Sequence, residues 1–339
     1  MIIALDAMGG DKAPDINVEG AVLASKYTDH EVLLVGKQEL LYPLLDKYAK
    51  IHAVLPSKIK VINATEVIEM HESPASAVRQ KKDSSMAVCA KLVVDKQADA
   101  FVSMGNSGAA MATAIMYFKR IPGVLRPAIS TPFPTVSGMC TILDVGANVD
   151  CKPEHLVQFA IMGSIYAEKV LGHPKPKIGI ISIGEEDTKG NELTFAVSDM
   201  LKKTSLNFIG NIEGGDIVKG KANVVICDGF VGNVILKFGE GVAEMVIKLI
   251  KDSVKSNPLF WGMIPFLKLA MYSMKKRVDY TEQGGAPLLG VNEVCLIGHG
   301  KSNAKAVKNA IIVSAKYASK HVNDEIAQEL AKYEELIKS

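Results

Sequence analysis

The sequence predicts an α/β fold: a three-layer α/β/α sandwich around a Rossmann-like, mostly parallel sheet. Three observations predict it. Short β-rich runs ending in Gly, Asn or Asp alternate with longer helical stretches along the chain. Several runs, such as Ile178-Gly-Ile-Ile-Ser-Ile183 and Val224-Val-Ile-Cys227, are apolar throughout rather than alternating, which suits strands buried on both faces of a parallel sheet. The 339 residues, 48% of them hydrophobic, suffice for a full core. With no internal repeat, low-complexity run or Pro- or Ser-rich linker, one α/β domain over residues 1–339 is expected.

In order, the expected strands are Ile2–Ala7, Glu31–Gly36, Ile59–Ala64, Ala100–Met104 and Cys140–Val145, then Lys177–Ile183, Asn207–Ile212, Val224–Cys227 and Val294–Ile297. Helices lie between them. In Glu154–Leu171, for example, Leu156, Ala160, Gly163 and Ala167 share a face. One segment departs from the alternation, an apolar helical excursion at about 253–280. Its centre, Pro258 to Met274, carries one charge, Lys268, and the only tryptophan, Trp261, and is followed by Lys275-Lys-Arg277. At 17 residues with Pro265 inside, it is too short and too broken to span a bilayer.

Composition excludes several classes. A formal net charge of +2 gives no basic excess for nucleic acid. The five cysteines form no C-x-x-C pair, so neither a disulfide framework nor a zinc site is indicated. The histidines are isolated and no H-E-x-x-H occurs, so no metal is expected. Met1-Ile-Ile-Ala-Leu-Asp6 meets an acidic residue too early for a signal peptide and reads as a first strand.

Ligands of open α/β sheets bind where strand ends lead into helices, and helix N-termini favour anions. Small polar, glycine-rich turns recur at such positions. Asp6-Ala-Met-Gly9-Gly10-Asp11 follows the first strand, with Lys12 adding a cation. Ser103-Met-Gly-Asn106-Ser107-Gly108 precedes a helix of small residues; its spacing is not that of a G-x-S-x-G elbow, so no hydrolase triad follows. Leu143-Asp-Val-Gly-Ala-Asn148 and Asp228-Gly-Phe-Val-Gly-Asn233 repeat the theme. The loop Gly184 to Asn191 gathers Glu185, Glu186, Asp187 and Lys189. Gly298-His299-Gly300-Lys301-Ser302-Asn303-Ala-Lys305 comes last. A P-loop would need glycine at Cys295, and a dinucleotide fingerprint would need it at Asn303, so both motifs fail on spacing. Together the turns are expected to line one sheet edge and to hold a phosphate or carboxylate.

The order and wording of these turns resemble the PlsX family of acyl-acyl-carrier-protein:phosphate acyltransferases. The likeness covers essentially the whole chain. It includes Asp6 to Asp11, Arg79 to Met86, Gly105-Asn-Ser-Gly-Ala109, Arg126-Pro-Ala, Leu143 to Asp150, Lys152-Pro-Glu-His-Leu156, Lys189-Gly-Asn-Glu-Leu193, Asp228 to Asn233 and Gly298 to Lys305. Ser107 stands where the family often has threonine, Met104 replaces a smaller residue, and Lys301 stands where serine is common.

The resemblance implies a fold similar to phosphate acetyltransferases and isocitrate-dehydrogenase-like proteins. It implies a cytoplasmic, homodimeric bacterial enzyme of phospholipid synthesis, at the inner face of the cell membrane, that needs no cofactor. Acyl-acyl-carrier protein delivers a fatty acyl thioester and inorganic phosphate attacks it. A membrane glycerol-3-phosphate acyltransferase then uses the acyl phosphate. On this reading phosphate contacts come from the Asn106–Gly108 amides, Lys189 and the Gly298–Asn303 turn, with Asp6, Gly9, Gly10, Arg126 and Lys305 near the substrates. Asn148, Asn233 or His299 donates to the oxyanion, and His299 or Asp228 carries protons. Phe260, Trp261, Ile264 and Phe266 enter lipid while Lys275, Lys276 and Arg277 meet an anionic membrane surface, a dimer interface being the alternative. The rival activities are a short-chain phosphate acetyl- or butyryltransferase and a non-catalytic lipid- or carrier-binding module.

Overall fold

The computed structural model describes residues 1–256 and 284–338. Its strands are β1 (Ile2–Asp6), β2 (Glu31–Gly36), β3 (Ile59–Asn63), β4 (Ala100–Ser103), β5 (Ala128–Thr135) and β6 (Gly138–Leu143). They continue with β7 (Ile178–Ile181), β8 (Phe208–Ile212), β9 (Val224–Ile226), β10 (Ala286–Leu289) and β11 (Val294–Ile297). All join one sheet in the order β3-β2-β1-β4-β11-β10-β5-β6-β9-β7-β8. Every expected strand is present to within two residues at each end, and β5 and β10 are additional.

Those two strands decide the topology. The contacts β11–β10, β10–β5 and β5–β6 are antiparallel, whereas the other strand pairs are parallel. An odd number of reversals means that β6, β9, β7 and β8 run opposite to β1–β4 and β11. Both added strands contain proline, which cannot donate to a ladder. In β5, β10 pairs only with Ala128 and Ile129, so Pro132 and Pro134 fall where one side of the strand has no partner strand.

The helices are α1 (Asp15–Tyr27), α2 (Gln38–His52), α3 (Pro74–Gln80), α4 (Ser85–Val94), α5 (Ser107–Phe118) and α6 (Pro153–Tyr166). After a π-helical turn at Ala167–Leu171 come α7 (Glu192–Leu201), α8 (Gly214–Lys219), α9 (Gly229–Ser256), α10 (Ala304–Ala318), α11 (Val322–Lys332) and α12 (Glu334–Lys338). Alternation along the strands sorts side chains between layers. Ile3 and Leu5 of β1, Val102 of β4, Leu143 of β6 and Ile226 of β9 join one core, under α1, α2, α6, α7, α10 and α11. Ala4 and Phe101 face α3, α4 and α5 instead. Ile142 and Val225 face α8 and α9. Helices thus cover both faces of the sheet, which is the three-layer arrangement the sequence predicts. Gly163 lets α6 lie close to the sheet, since a Cβ there would come within 2.7 Å of Val224 Cγ1.

Candidate active site

At the first edge β1, β4 and β11 end in register, Asp6 beside Ser103 and Ser103 beside Ile297. Their turns leave the sheet together and lock into one another. A Cβ on Gly9 would sit 2.7 Å from Gly105 N, and one on Gly298 would sit 1.9 Å from Met104 Sδ. Gly10 adopts φ +110°, and Asp11 N–H donates to Gly300 O at 2.9 Å. The glycines therefore permit turn-on-turn packing as much as approach by a ligand.

Two helices open from this nest. Asn106 caps α5 by accepting from Ala109 N (3.1 Å), and Asn303 caps α10 by accepting from Ala306 N (2.9 Å). Asn106 is itself anchored through Nδ2 to Met70 O and Glu72 O. Each cap serves the third amide of its helix. The Ser107, Gly108 and Ala304 amides precede it and have no intrahelical acceptor. The ammonium groups of Lys12 and Lys301 are exposed and make no ion pair among the described residues. His299 Nδ1 accepts from Lys301 N at 3.1 Å, while Ser302 is buried and Lys305 is partly buried on the first turn of α10. Beneath the nest, Asn17 Nδ2 donates to Ala7 O and Gly9 O. Asp6 is buried there too, and desolvation pushes its carboxyl above the usual range against bonds from Ser103, Ser85, Met8 and Gly9.

The second edge carries the ends of β6, β9 and β7, again in register. Asp144 is its buried anchor. Its carboxylate accepts from Ile129 N (3.0 Å), Ala147 N (3.2 Å), Asn148 N (2.6 Å) and Asn148 Nδ2 (3.0 Å). Burial raises this carboxyl as well. Asn148 Nδ2 also donates to Pro127 O, and Asn148 O accepts from Gly229 N at 2.7 Å. Asp228 caps α9 through Val231 N at 2.8 Å. Asn233 is exposed and borders Gly146. Arg126 lies close enough to act electrostatically on His155 and Cys151, and it makes no ion pair among the described residues. His155 is buried, and desolvation lowers its imidazole below the usual range.

The expectation of one common edge is corrected here, because β5 and β10 reverse the second half of the sheet. Asp6, Gly9, Gly10, Asn106, Ser107, Gly108, His299, Gly300, Ser302, Asn303 and Lys305 gather at the first edge. Asn148, Asp228, Asn233 and Arg126 gather at the second. Helix α5, 12 residues long, leads from one end of the first half-sheet to the other, about 18 Å. Lys189 belongs with the second group, because β7 adjoins β9. Its side chain is exposed, and its carbonyl accepts from Ser182 Oγ and Asn211 Nδ2. Phe260, Trp261, Ile264 and Phe266, with Lys275, Lys276 and Arg277, lie outside the described residues.

Sequence reasoning passed over Asn17 and placed Ser85, Ser103 and Asp144 within its turns and motifs without giving them a role in building the site. The available signal was a polar residue at a strand end or inside an otherwise apolar helix face. Among the described residues no His, Cys, Asp and Glu cluster could hold a metal ion, and no helix is long and apolar enough to cross a membrane. Burial raises the thiols, Cys89 and Cys227 far up and Cys140 and Cys151 to about 12. A thiolate nucleophile at neutral pH is therefore disfavoured.

Comparison with known proteins agrees with this architecture. Residues 1–325 match the family described as fatty acid synthesis protein. A phosphate acyltransferase of Endomicrobium trichonymphae is 59% identical over 98% of both chains. That of Trichlorobacter lovleyi is 50% identical over 98% of this chain and 95% of the relative. Among solved structures, a phosphotransacetylase from Streptococcus pyogenes superposes with a TM-score of 0.64 over 94% of each chain at 17% identity, which is a likeness of fold. On the family match and these near full-length relatives, the chain belongs to the fatty acid synthesis protein family, the PlsX-type phosphate acyltransferases.

Proposed function

We propose that this protein transfers a fatty acyl group from acyl-acyl-carrier protein to inorganic phosphate, giving acyl phosphate and free carrier protein. The observation that carries the reading is the pair of helix N-termini, α5 and α10, at the first edge. They open from the adjacent strands β4 and β11, one on each face of the sheet, with Lys12 and Lys301 on turns of that edge. Such amides suit a phosphate, which the partial positive charge of each helix end also favours. Bound there, a phosphate oxygen attacks the thioester carbonyl carbon. The new C–O bond forms, the tetrahedral oxyanion collapses, and the C–S bond breaks with the thiolate taking a proton. His299 is the proposed proton carrier at this edge. The raised thiols favour direct attack by phosphate over an intermediate on cysteine.

Arg126 and Lys189 at the second edge are proposed to meet the anionic carrier, with Asn148, Asp228 and Asn233 shaping that surface. Lys189 thus moves from phosphate to the acyl donor. A homodimer is proposed along α9, where Phe230, Val234, Phe238, Met245 and Leu249 form an exposed apolar stripe. The sequence from Pro258 to Arg277 supports peripheral attachment to an anionic membrane, where a glycerol-3-phosphate acyltransferase would receive the product. The deciding assay follows thioester loss from acyl-acyl-carrier protein with and without phosphate, trapping acyl phosphate with hydroxylamine. Turnover that needs no phosphate, or that prefers acetyl thioesters, would overturn the reading.

A further inference from the structure

Asp6 ends β1 and is only 1% exposed. Its Oδ2 accepts the Ser103 hydroxyl at 2.6 Å and its Oδ1 accepts Met8 N–H at 3.1 Å. The Gly9 N–H and the Ser85 hydroxyl lie near enough to the same carboxylate to favour its ionised form. Ser103 Oγ in turn accepts Gly105 N–H at 3.0 Å. One carboxylate therefore ties the turn after β1 to Ser103 and, through Ser103, to the turn after β4. The fit is close, since a Cβ on Gly9 would stand 2.4 Å from Asp6 Oδ2.

An ionised carboxylate offers roughly four acceptor positions. Two are taken by Ser103 and Met8, the Gly9 N–H and the Ser85 hydroxyl face the rest, and burial keeps the group from solvent. We propose that Asp6 is a positioning residue for phosphate, setting the spacing between Gly9 and Gly105 and hence the aim of the Ser107 and Gly108 amides without touching the anion. The proposal rests on phosphate binding at the first edge. Asparagine cannot substitute, because its single carbonyl oxygen accepts fewer bonds and its NH2 would face donors.

The test uses the full chain with Asp6→Asn and the milder Ser103→Ala, which removes the hydroxyl joining Asp6 to Gly105 and leaves the carboxylate in place. Phosphate affinity is read from the rise of Tm with inorganic phosphate, independently of turnover. Separate KM values for phosphate and acyl donor give the second readout. Asp6→Asn should weaken phosphate about tenfold or more and Ser103→Ala about threefold, with the acyl-donor KM unchanged. If Asp6→Asn does not fold, Ser103→Ala decides. A folded Ser103→Ala with wild-type phosphate affinity, or with both KM values raised alike, overturns the proposal. Phosphate that stabilises wild type more than Ser103→Ala supports it even without turnover, in which case only the acyl-transfer reading falls.

Discussion

The two edges of the sheet use one device for different ends. At each, a buried aspartate closes a strand and accepts backbone amides from the turn that follows: Asp6 takes Met8, and Asp144 takes Ala147 and Asn148. The difference lies in what remains open. At the first edge the caps Asn106 and Asn303 leave earlier amides of α5 and α10 without intrahelical acceptors, beside exposed lysines. At the second, Asn148 O takes the Gly229 amide and Asp228 takes that of Val231, so the protein itself uses the first and third amides of α9, and the carboxylates of Asp144 and Asp228 stand beside them. A glycine-rich strand-to-helix turn thus marks an anion site only when the protein has not already used its donors.

This contrast can be broken at several strengths. Gly9→Ala drives a Cβ into buried backbone and carboxylate, and misplacing the nest by even part of an ångström should cut kcat/KM for phosphate about hundredfold, read from initial rates. Arg126→Ala should raise the acyl-donor KM about tenfold while sparing the phosphate KM, by the worth of one charge-assisted contact. Equal effects on both would mean that the edges act on one substrate. Asp144→Asn should cost about 1–3 kcal/mol in chemical denaturation, because it disturbs buried amide partners, yet leave phosphate affinity at the wild-type value. Cys151→Ser, smallest of all, should change turnover less than about twofold if no covalent cysteine intermediate forms. Loss of activity there would reinstate a thiol nucleophile.

Much of this contrast was legible in the sequence, and its arrangement was not. The apolar runs Ile178–Ile183 and Val224–Cys227 marked buried parallel strands because no solvent-facing side chains interrupt them. The turns were legible because Gly, Asn and Asp concentrate after each run. Strands β5 and β10 were hidden by Pro132, Pro134 and Pro287, residues that argue against a strand unless one edge has no partner. Missing them cost the reversal of the sheet, and with it the separation of Lys189 and Asn148 from His299. Asp6 was expected among the substrate-contacting residues, and its inward direction depends on Ser103, 97 positions away, a partnership set by strand order alone.

If helix-start amides at the first edge hold the phosphate, Ser107→Pro should weaken it. Ser107 is the first residue of α5, where proline is tolerated, and Asn106 already has ψ 112°, compatible with a following proline. The change deletes an amide donor and a hydroxyl while keeping the helix. The account predicts a phosphate KM raised about tenfold with the acyl-donor KM and Tm near wild type. A folded variant with an unchanged phosphate KM would contradict it.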